Sequence, residues 1–148
     1  MAAYKFKTGS RIQGDPQTVG EELARIEKKG ALTPKAVVDA SRRGNAPLHG
    51  YFEWRDDVAA EKYREVQAKE IIRSVELVIE GSEPTRAFVS VTVEGGERNY
   101  VNVEAALSVQ QTRDEVLATA LSELRAFERK YSTLVELADV LEAIRRVA

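Results

Sequence analysis

The only histidine of the chain lies in an aromatic segment and is followed by several carboxylates. His49 precedes Glu53, Asp56 and Asp57, and a catalytic imidazole needs an acid to orient it and a nucleophile or a water within reach. Closeness in sequence does not establish that geometry. The alternative is a histidine that bonds backbone carbonyl groups and fixes its loop. We expect this structural role and assign no catalytic residue.

The remaining composition gives little support to an enzyme. The 148 residues include no cysteine, which excludes thiolate catalysis, disulfides and cysteine-based zinc sites. Asp56 and Asp57 are types that bind divalent cations, but capping of a helix explains them equally well. Gly95-Gly96 falls in a predicted hairpin, and no phosphate-binding glycine motif is present. We therefore predict a non-enzymatic protein without a metal or cofactor.

Basic side chains are concentrated in the first half of the chain. Residues 1–74 carry 14 Lys and Arg against 11 Asp and Glu, a net charge of +3, and residues 75–148 carry 8 against 13, a net charge of −5. The whole chain has a net charge of −2, so only a local surface would attract a polyanion. The candidate nucleic-acid-binding residues are Lys5, Lys7, Arg11, Arg42, Arg43, Lys62, Lys69 and Arg73.

An ordinary solvated surface is the alternative for these cations. Glutamates at 61, 65 and 70 share a predicted helix with Lys62, Lys69 and Arg73, and they would oppose DNA if they faced it. A Glu65–Lys69 pair at i,i+4 is typical of an exposed helix. The nucleic-acid hypothesis therefore requires the cations to converge on one exposed patch.

An aromatic cluster between residues 51 and 54 also has two interpretations. Tyr51, Phe52 and Trp54 have ring faces that can stack on unpaired bases, but such rings more commonly anchor an irregular segment in the core. We expect the whole segment 45–55 to fold back onto the helical core. Tyr51 and Trp54, which each have a polar group, are the candidate base-stacking residues.

Capping signals predict three helices in the first half. Asp15 and Pro16 begin a helix over 16–29, with the capping box Thr18-x-x-Glu21 as a competing start. Thr33 caps a second helix over 34–42. A third helix over 57–74 would be capped by Asp56 or Asp57. Its expected buried side is Ala59, Ala60, Tyr63, Val66 and Ile71.

In the second half of the chain, apolar residues first recur at every second position and then again at helical spacing. Alternating apolar residues predict a three-stranded antiparallel sheet from segments 75–79, 88–93 and 99–103, with a two-glycine hairpin at Gly95-Gly96. The N-terminal arm either adds an edge strand or stays flexible. The capping boxes at Thr112 and Thr133 predict two closing helices that form a hairpin.

These elements indicate an α+β fold: an N-terminal three-helix unit, a central three-stranded antiparallel sheet and a C-terminal helical hairpin. We expect a single domain over 1–148, with a sub-division into 1–74 and 75–148 as the alternative. No apolar run reaches the roughly 20 residues of a spanning helix, and the start lacks a signal-peptide stretch. We therefore expect a cytoplasmic protein without a membrane partner.

Four short motifs between Leu32 and Ser74 are specific enough to compare with known families. They are L-T-P-x-x-V-V, P-L-H-x-Y-F-E-W, D-x-x-A-A-x-x-Y-R-x-x-Q-A and I-R-S. Together they resemble a family of small proteins encoded by bacteriophages and prophages. That family usually has an acid directly after the tryptophan, where this chain has Arg55. The resemblance implies a phage setting but no particular activity, and no functional residue is carried over from it.

The sequence thus leads to the hypothesis of a non-enzymatic phage accessory protein. Its basic helical half would bind DNA in a helix-turn-helix-like manner, and its acidic half would self-associate into a homo-oligomer. The link of about a dozen residues between the second and third helices departs from the 3–4-residue turn of that motif. The alternative is a protein–protein interaction or structural assembly module that acts on a host or virion protein.

Overall fold

The computed structural model describes residues 2–56 and 60–148. It is a mixed structure, 56% helical and 15% strand. The chain divides into two compact units, Met1–Ala105 and Ala106–Ala148. This boundary does not coincide with the alternative sub-division at residue 74, because a strand of the N-terminal arm pairs with a strand that begins at Val75.

The first two helices begin where their caps predict. Helix α1 spans Pro16–Lys29, and the Asp15 carboxylate accepts from the backbone N–H groups of Gln17 and Thr18 at 3.2 and 3.0 Å. The competing start at Thr18 is wrong, since the Thr18 hydroxyl donates to Asp15 instead. Helix α2 spans Pro34–Ser41, with the Thr33 hydroxyl accepting from the Ala36 N–H at 3.1 Å.

Helix α3 spans Glu61–Ser74 and starts later than predicted. Asp56 does not cap it, and Asp57 and Ala59 lie outside the described residues. The buried side was also predicted wrongly: Ala60, Tyr63 and Val66 are exposed. Of the expected set, only Ile71 is confirmed as buried. The inward side chains are Arg64, Ala68, Ile71 and Ile72.

The three-stranded antiparallel sheet has a different composition from the predicted one. Its order is β1 (Ala3–Phe6), β2 (Val75–Val78) and β3 (Thr85–Arg86). The N-terminal arm is thus an edge strand, paired with β2 from Ala3↔Val78 to Phe6↔Val75. Strand β2 follows α3 with no residue between them.

The other two predicted strands form a separate hairpin. Strands β4 (Phe88–Thr92) and β5 (Arg98–Asn102) pair with each other, and Tyr100 forms an isolated bridge with Leu32. The two-glycine turn is confirmed: Gly95 and Gly96 have φ values of +96° and +82°, which other residues seldom adopt.

One hydrophobic core joins the helices and strands of the first unit. Leu48 is fully buried and Phe52 is 8% exposed, so the aromatic segment folds back onto this core as expected. The largest fully buried side chains of the unit are Phe88, Leu23, Leu32, Leu48, Ile71, Ile72, Val19, Val37, Val38, Val75 and Val91.

The chain continues through α4 (Val103–Ser108) into α5 (Gln110–Tyr131) and α6 (Ala138–Val147). Helix α6 folds back along α5, because Arg145 donates to Glu128 at 2.9 Å. Both predicted capping boxes are wrong. The Thr112 hydroxyl donates to the Ala106 carbonyl at 2.6 Å, and α6 begins only after a 3₁₀ turn over Val135–Leu137.

No helix within residues 2–56 and 60–148 is long and apolar enough to span a membrane.

Candidate functional site

The eight candidate cations do not all lie on one surface. Three of them are paired with carboxylates: Lys5 lies 3.3 Å from Glu76, Lys62 lies 3.3 Å from Glu65, and Arg42 contacts Glu61 at 2.5 Å. Arg42 also contacts Asp39 at 3.2 Å. The Arg42 guanidinium, by donating to Glu61, lowers the pKa of that carboxyl below its usual value. Paired cations of this kind have less charge to offer a polyanion.

Four other candidates converge on a single groove of about 390 Å³. We call it the basic groove. It lies between the turn that follows β1 and the outer face of α3, entirely within the first unit. The residues that line it are Lys7, Gly9, Ser10, Arg11, Val66, Lys69, Glu70, Arg73 and Ser74.

A tight turn positions the two cations on the first side of the groove. The Lys7 N–H donates to the Ser74 carbonyl at 2.7 Å, which continues the β1–β2 pairing by one bond. The Ser10 N–H donates back to the Lys7 carbonyl at 3.1 Å, and Gly9 adopts a φ of +80° that favours glycine. The Ser10 hydroxyl then accepts from the Ile12 N–H at 3.1 Å, so Arg11 is held beside the turn.

Helical periodicity positions the two cations on the second side. Ala68, Ile71 and Ile72 are fully buried, which turns Lys69 and Arg73, at i and i+4, toward solvent. Burial of Ile71 and Ile72 stabilises this orientation by roughly 1.5–3 kcal/mol per side chain. The orientation of the cations is thus determined by the opposite face of the helix.

The basic groove holds four cations and one carboxylate. Within the described residues, Lys7, Arg11, Lys69 and Arg73 make no ion pair within 4.0 Å. All four are exposed. Their mutual repulsion is screened at the surface by salt, and an anion that bridges them would relieve it. The arrangement is suited to binding phosphate or another multiply charged anion.

Arg43 lies elsewhere. It lines a different cavity of about 630 Å³, together with Arg25, Lys29 and Asp39. Arg25 is ion-paired there with Glu22. Arg43 is therefore a cation of the same unit that does not belong to the basic groove.

The candidate base-stacking residues are engaged in packing. The Trp54 ring stacks on His49 with 5.1 Å between centroids and 8° between planes, and its Nε1–H donates to the His49 carbonyl at 2.8 Å. Tyr51 is half-buried, with its hydroxyl directly against Gly14. Neither ring lines the basic groove.

His49 has the structural role expected of it. Its Nδ1 lies 2.9 Å from the Ser41 carbonyl oxygen, which ties the aromatic segment to the end of α2. Among the described residues, no group of three or more His, Asp or Glu side chains is arranged to hold a metal ion.

Arg64 is a central residue of the site region that was not expected from the sequence. Its side chain is 6% exposed. Its Nε donates to the Glu53 carbonyl at 3.0 Å and another guanidinium nitrogen donates to Asp56 at 2.8 Å. Its guanidinium carbon lies 5.2 Å from the Trp54 ring centroid. Residues 64, 68, 71 and 72 have the spacing of one buried helix face. This pattern was not evident in the sequence because its first member is a charged arginine.

Because Arg64 is turned inward, Tyr63 and Val66 are turned outward. They are 52% and 61% exposed. Val66 lines the basic groove, and Tyr63 precedes it by one turn of the helix. Both were expected in the core from their hydrophobicity, and Val66 is instead an apolar side chain of the basic groove.

Comparison with protein-family models, with curated proteins and with solved structures finds no match to this chain.

Proposed function

We propose that this chain binds nucleic acid through the basic groove, without catalysing a reaction on it. The supporting observation is that Lys7, Arg11, Lys69 and Arg73 converge on one exposed groove and have no ion-pair partner among the described residues. The resemblance of residues 32–74 to phage-encoded proteins supports the proposal that this chain is an accessory protein of a phage. The proposal keeps one feature of a helix-turn-helix-like mode, namely that the third helix, α3, contacts the nucleic acid. This helix forms one side of the groove.

Salt dependence is the direct measure of such binding. Each phosphate neutralised by a cation contributes about 0.7–0.9 to the slope of log affinity against log salt concentration. Four groove cations predict a slope of about −2.8 to −3.6. Replacing Lys69 and Arg73 by alanine should halve the slope, measured by fluorescence anisotropy with a labelled oligonucleotide at several salt concentrations.

The matched control is Arg43→Ala, which removes an exposed cation of the same unit outside the groove. It should leave the slope within error of the unmodified chain. A fall in slope per cation removed that is as large for Arg43→Ala as for the double replacement of Lys69 and Arg73 would overturn the assignment of the groove. No binding at micromolar protein and ~50 mM salt would overturn the proposed function itself.

Self-association through residues 106–148 is a second part of the proposal. This unit has 43 residues, close to the size of about 40 below which chains usually need disulfides, metals or oligomerisation, and it has no cysteine. Helix α5 has no buried residue along its length. Its apolar stripe, Leu117, Leu124 and Phe127, is 56%, 37% and 38% exposed.

The occupant that fits this stripe is a second copy of the chain in antiparallel orientation. Asp114, Glu115 and Glu123 precede Arg125, Arg129 and Lys130 along α5. Two residues of α5 depart from this order of acidic before basic side chains. They are Arg113, at the start of the helix, and Glu128, which is paired with Arg145. Antiparallel pairing therefore places the acidic part of one α5 beside the basic part of the other, which favours a two-fold contact.

Sedimentation measures this directly. Leu117→Glu with Leu124→Glu should convert the oligomer to a monomer. Thr119→Glu with Ala126→Glu, which has the same charge and spacing on the opposite face of α5, should not. If the unmodified chain is a monomer, the proposal that a second copy covers the stripe is wrong. The alternative partner of the stripe is then a host or virion protein.

A further inference from the structure

Exposed apolar side chains accompany the cations on the outer face of α3. Tyr63, Val66 and Glu70 follow one another at i, i+3 and i+7, and Arg73 follows at i+10, so they share one side of the helix. Tyr63 is 52% exposed and Val66 is 61% exposed. Val66 lines the basic groove, whose four cations make no ion pair within the described residues. Tyr63 lies one helical turn before Val66, and its exposed ring is available for contact with a ligand.

This combination corresponds to two separate interactions of a polynucleotide. Cations track the phosphate backbone, whereas aromatic rings stack on bases that are not paired in a duplex. A duplex keeps its bases stacked inside and is usually read by a convex element that enters one of its grooves. The site here is concave, because the turn that carries Lys7 and Arg11 rises beside α3.

We infer that the basic groove binds single-stranded nucleic acid, with the backbone along Lys7, Arg11, Lys69 and Arg73 and one base stacked on Tyr63. The inference rests on the proposed function and specifies its ligand. Val66, between the ring and the cations, provides apolar contact to the neighbouring sugar or base. Tyr63 takes the base-stacking role that was expected of Tyr51 and Trp54.

The length of α3 defines how much strand the site covers. Tyr63 and Arg73 are ten residues apart, or about 15 Å along the helix axis. At the ~3.4 Å per nucleotide of a stacked strand, this corresponds to roughly four to five nucleotides. A short oligonucleotide should therefore fill the site.

The test compares Tyr63→Ala and Tyr63→Phe in the full chain. The probes are a labelled oligothymidylate of about a dozen nucleotides and a labelled duplex hairpin. Tyr63→Ala should weaken binding of the oligothymidylate by about 5- to 150-fold, the range that corresponds to one lost stacking contact. Tyr63→Phe keeps the ring and should restore binding to within about two-fold. The unmodified chain should prefer the single strand.

Val135→Ala is the control for the loss of an exposed apolar side chain, since Val135 is 80% exposed in the second unit. It should leave binding unchanged, and thermal unfolding of each variant by circular dichroism checks that the fold is kept. If both probes bind through Lys69 and Arg73 but Tyr63→Ala has no effect, the single-strand inference is wrong and the proposed function stands. If neither probe binds, the proposed function has failed.

Discussion

Arg64 lies on the side of α3 that faces the core, together with Ile71 and Ile72, and the basic groove depends on that orientation. Its charge is acceptable at 6% side-chain exposure because it is paired with Asp56 and donates to the Glu53 carbonyl. A buried cation that lacked such partners would be costly. Hydrophobicity favours Tyr63 and Val66 for the core as well as Ile71 and Ile72. The tertiary partners of Arg64 allow the face that carries Ile71 and Ile72 to be the buried one. Those partners lie in an irregular segment whose path the sequence does not specify.

Gly20 provides a test of packing at the scale of one residue. It lies in α1 directly against the Tyr4 ring, and a methyl group at this position would overlap the ring. Gly20→Ala should therefore destabilise the chain by up to about 2 kcal/mol, because the cost of overpacking, roughly 1–3 kcal/mol, offsets the gain of ~1 kcal/mol in helix propensity. The measurement is the free energy of unfolding in urea.

Two further variants separate this steric effect from propensity. Gly44→Ala, where a methyl group meets open space, should be nearly neutral. In a Tyr4→Ala background the same Gly20→Ala change should become stabilising, because the obstructing ring is gone. Equal effects of Gly20→Ala in both backgrounds would contradict the contact.

At the scale of elements, the helix starts and turns that depend on neighbouring residues could be predicted from the sequence. Asp15 and Thr33 cap α1 and α2 as predicted because an N-cap acts within three residues. The positive φ values of Gly95 and Gly96 are likewise a local property. Strand pairing is not local: the arm 3–6 pairs with residues 75–78, and the pattern of each segment alone cannot choose its partner. The capping boxes at Thr112 and Thr133 failed for different reasons. Thr112 lies inside α5, and a 3₁₀ turn over Val135–Leu137 separates Thr133 from the start of α6.

The same division applies to the candidate site. The sequence identified all four groove cations, but it grouped them with Lys5, Arg42 and Lys62, whose carboxylate partners include residues distant in the chain such as Glu76 and Glu61. Residue type therefore predicted which side chains carry charge. Long-range contacts determined which of them are available.

The cap of α1 gives a pH-dependent contribution to stability. A hydrogen bond from the Thr18 hydroxyl, followed by bonds from backbone N–H groups, lowers the pKa of Asp15 below its usual 3.8. The folded state therefore binds this proton less readily than the unfolded state, so the stabilisation is present above pH 3.8 and is lost as the pH falls through the lower folded-state value. Asp15→Asn keeps the cap without the titration.

The difference in melting temperature between the unmodified chain and Asp15→Asn should consequently shrink on going from pH 7 to acid. The other acidic groups titrate in both proteins and cancel in the comparison. A difference that is constant across this range would contradict the lowered pKa of Asp15.

At the scale of the whole molecule, self-association should couple stability to concentration. If the apolar stripe of α5 is covered by a second copy, the melting temperature should rise by about 2–5 °C for each tenfold increase in protein concentration. Leu117→Glu with Leu124→Glu should remove this dependence, as measured by differential scanning calorimetry. A melting temperature independent of concentration in the unmodified chain would count against the dimer.

The direct junction between α3 and β2 limits how the length of this protein can vary. No residue separates Ser74 from Val75, so a single inserted residue would rotate α3 by about 100° against the sheet or exchange the two faces of β2. Either change would carry Lys69 and Arg73 away from the turn at Gly9. Insertions and deletions in natural variants should therefore avoid this junction and fall in the segment 79–84, where the strands do not constrain the chain.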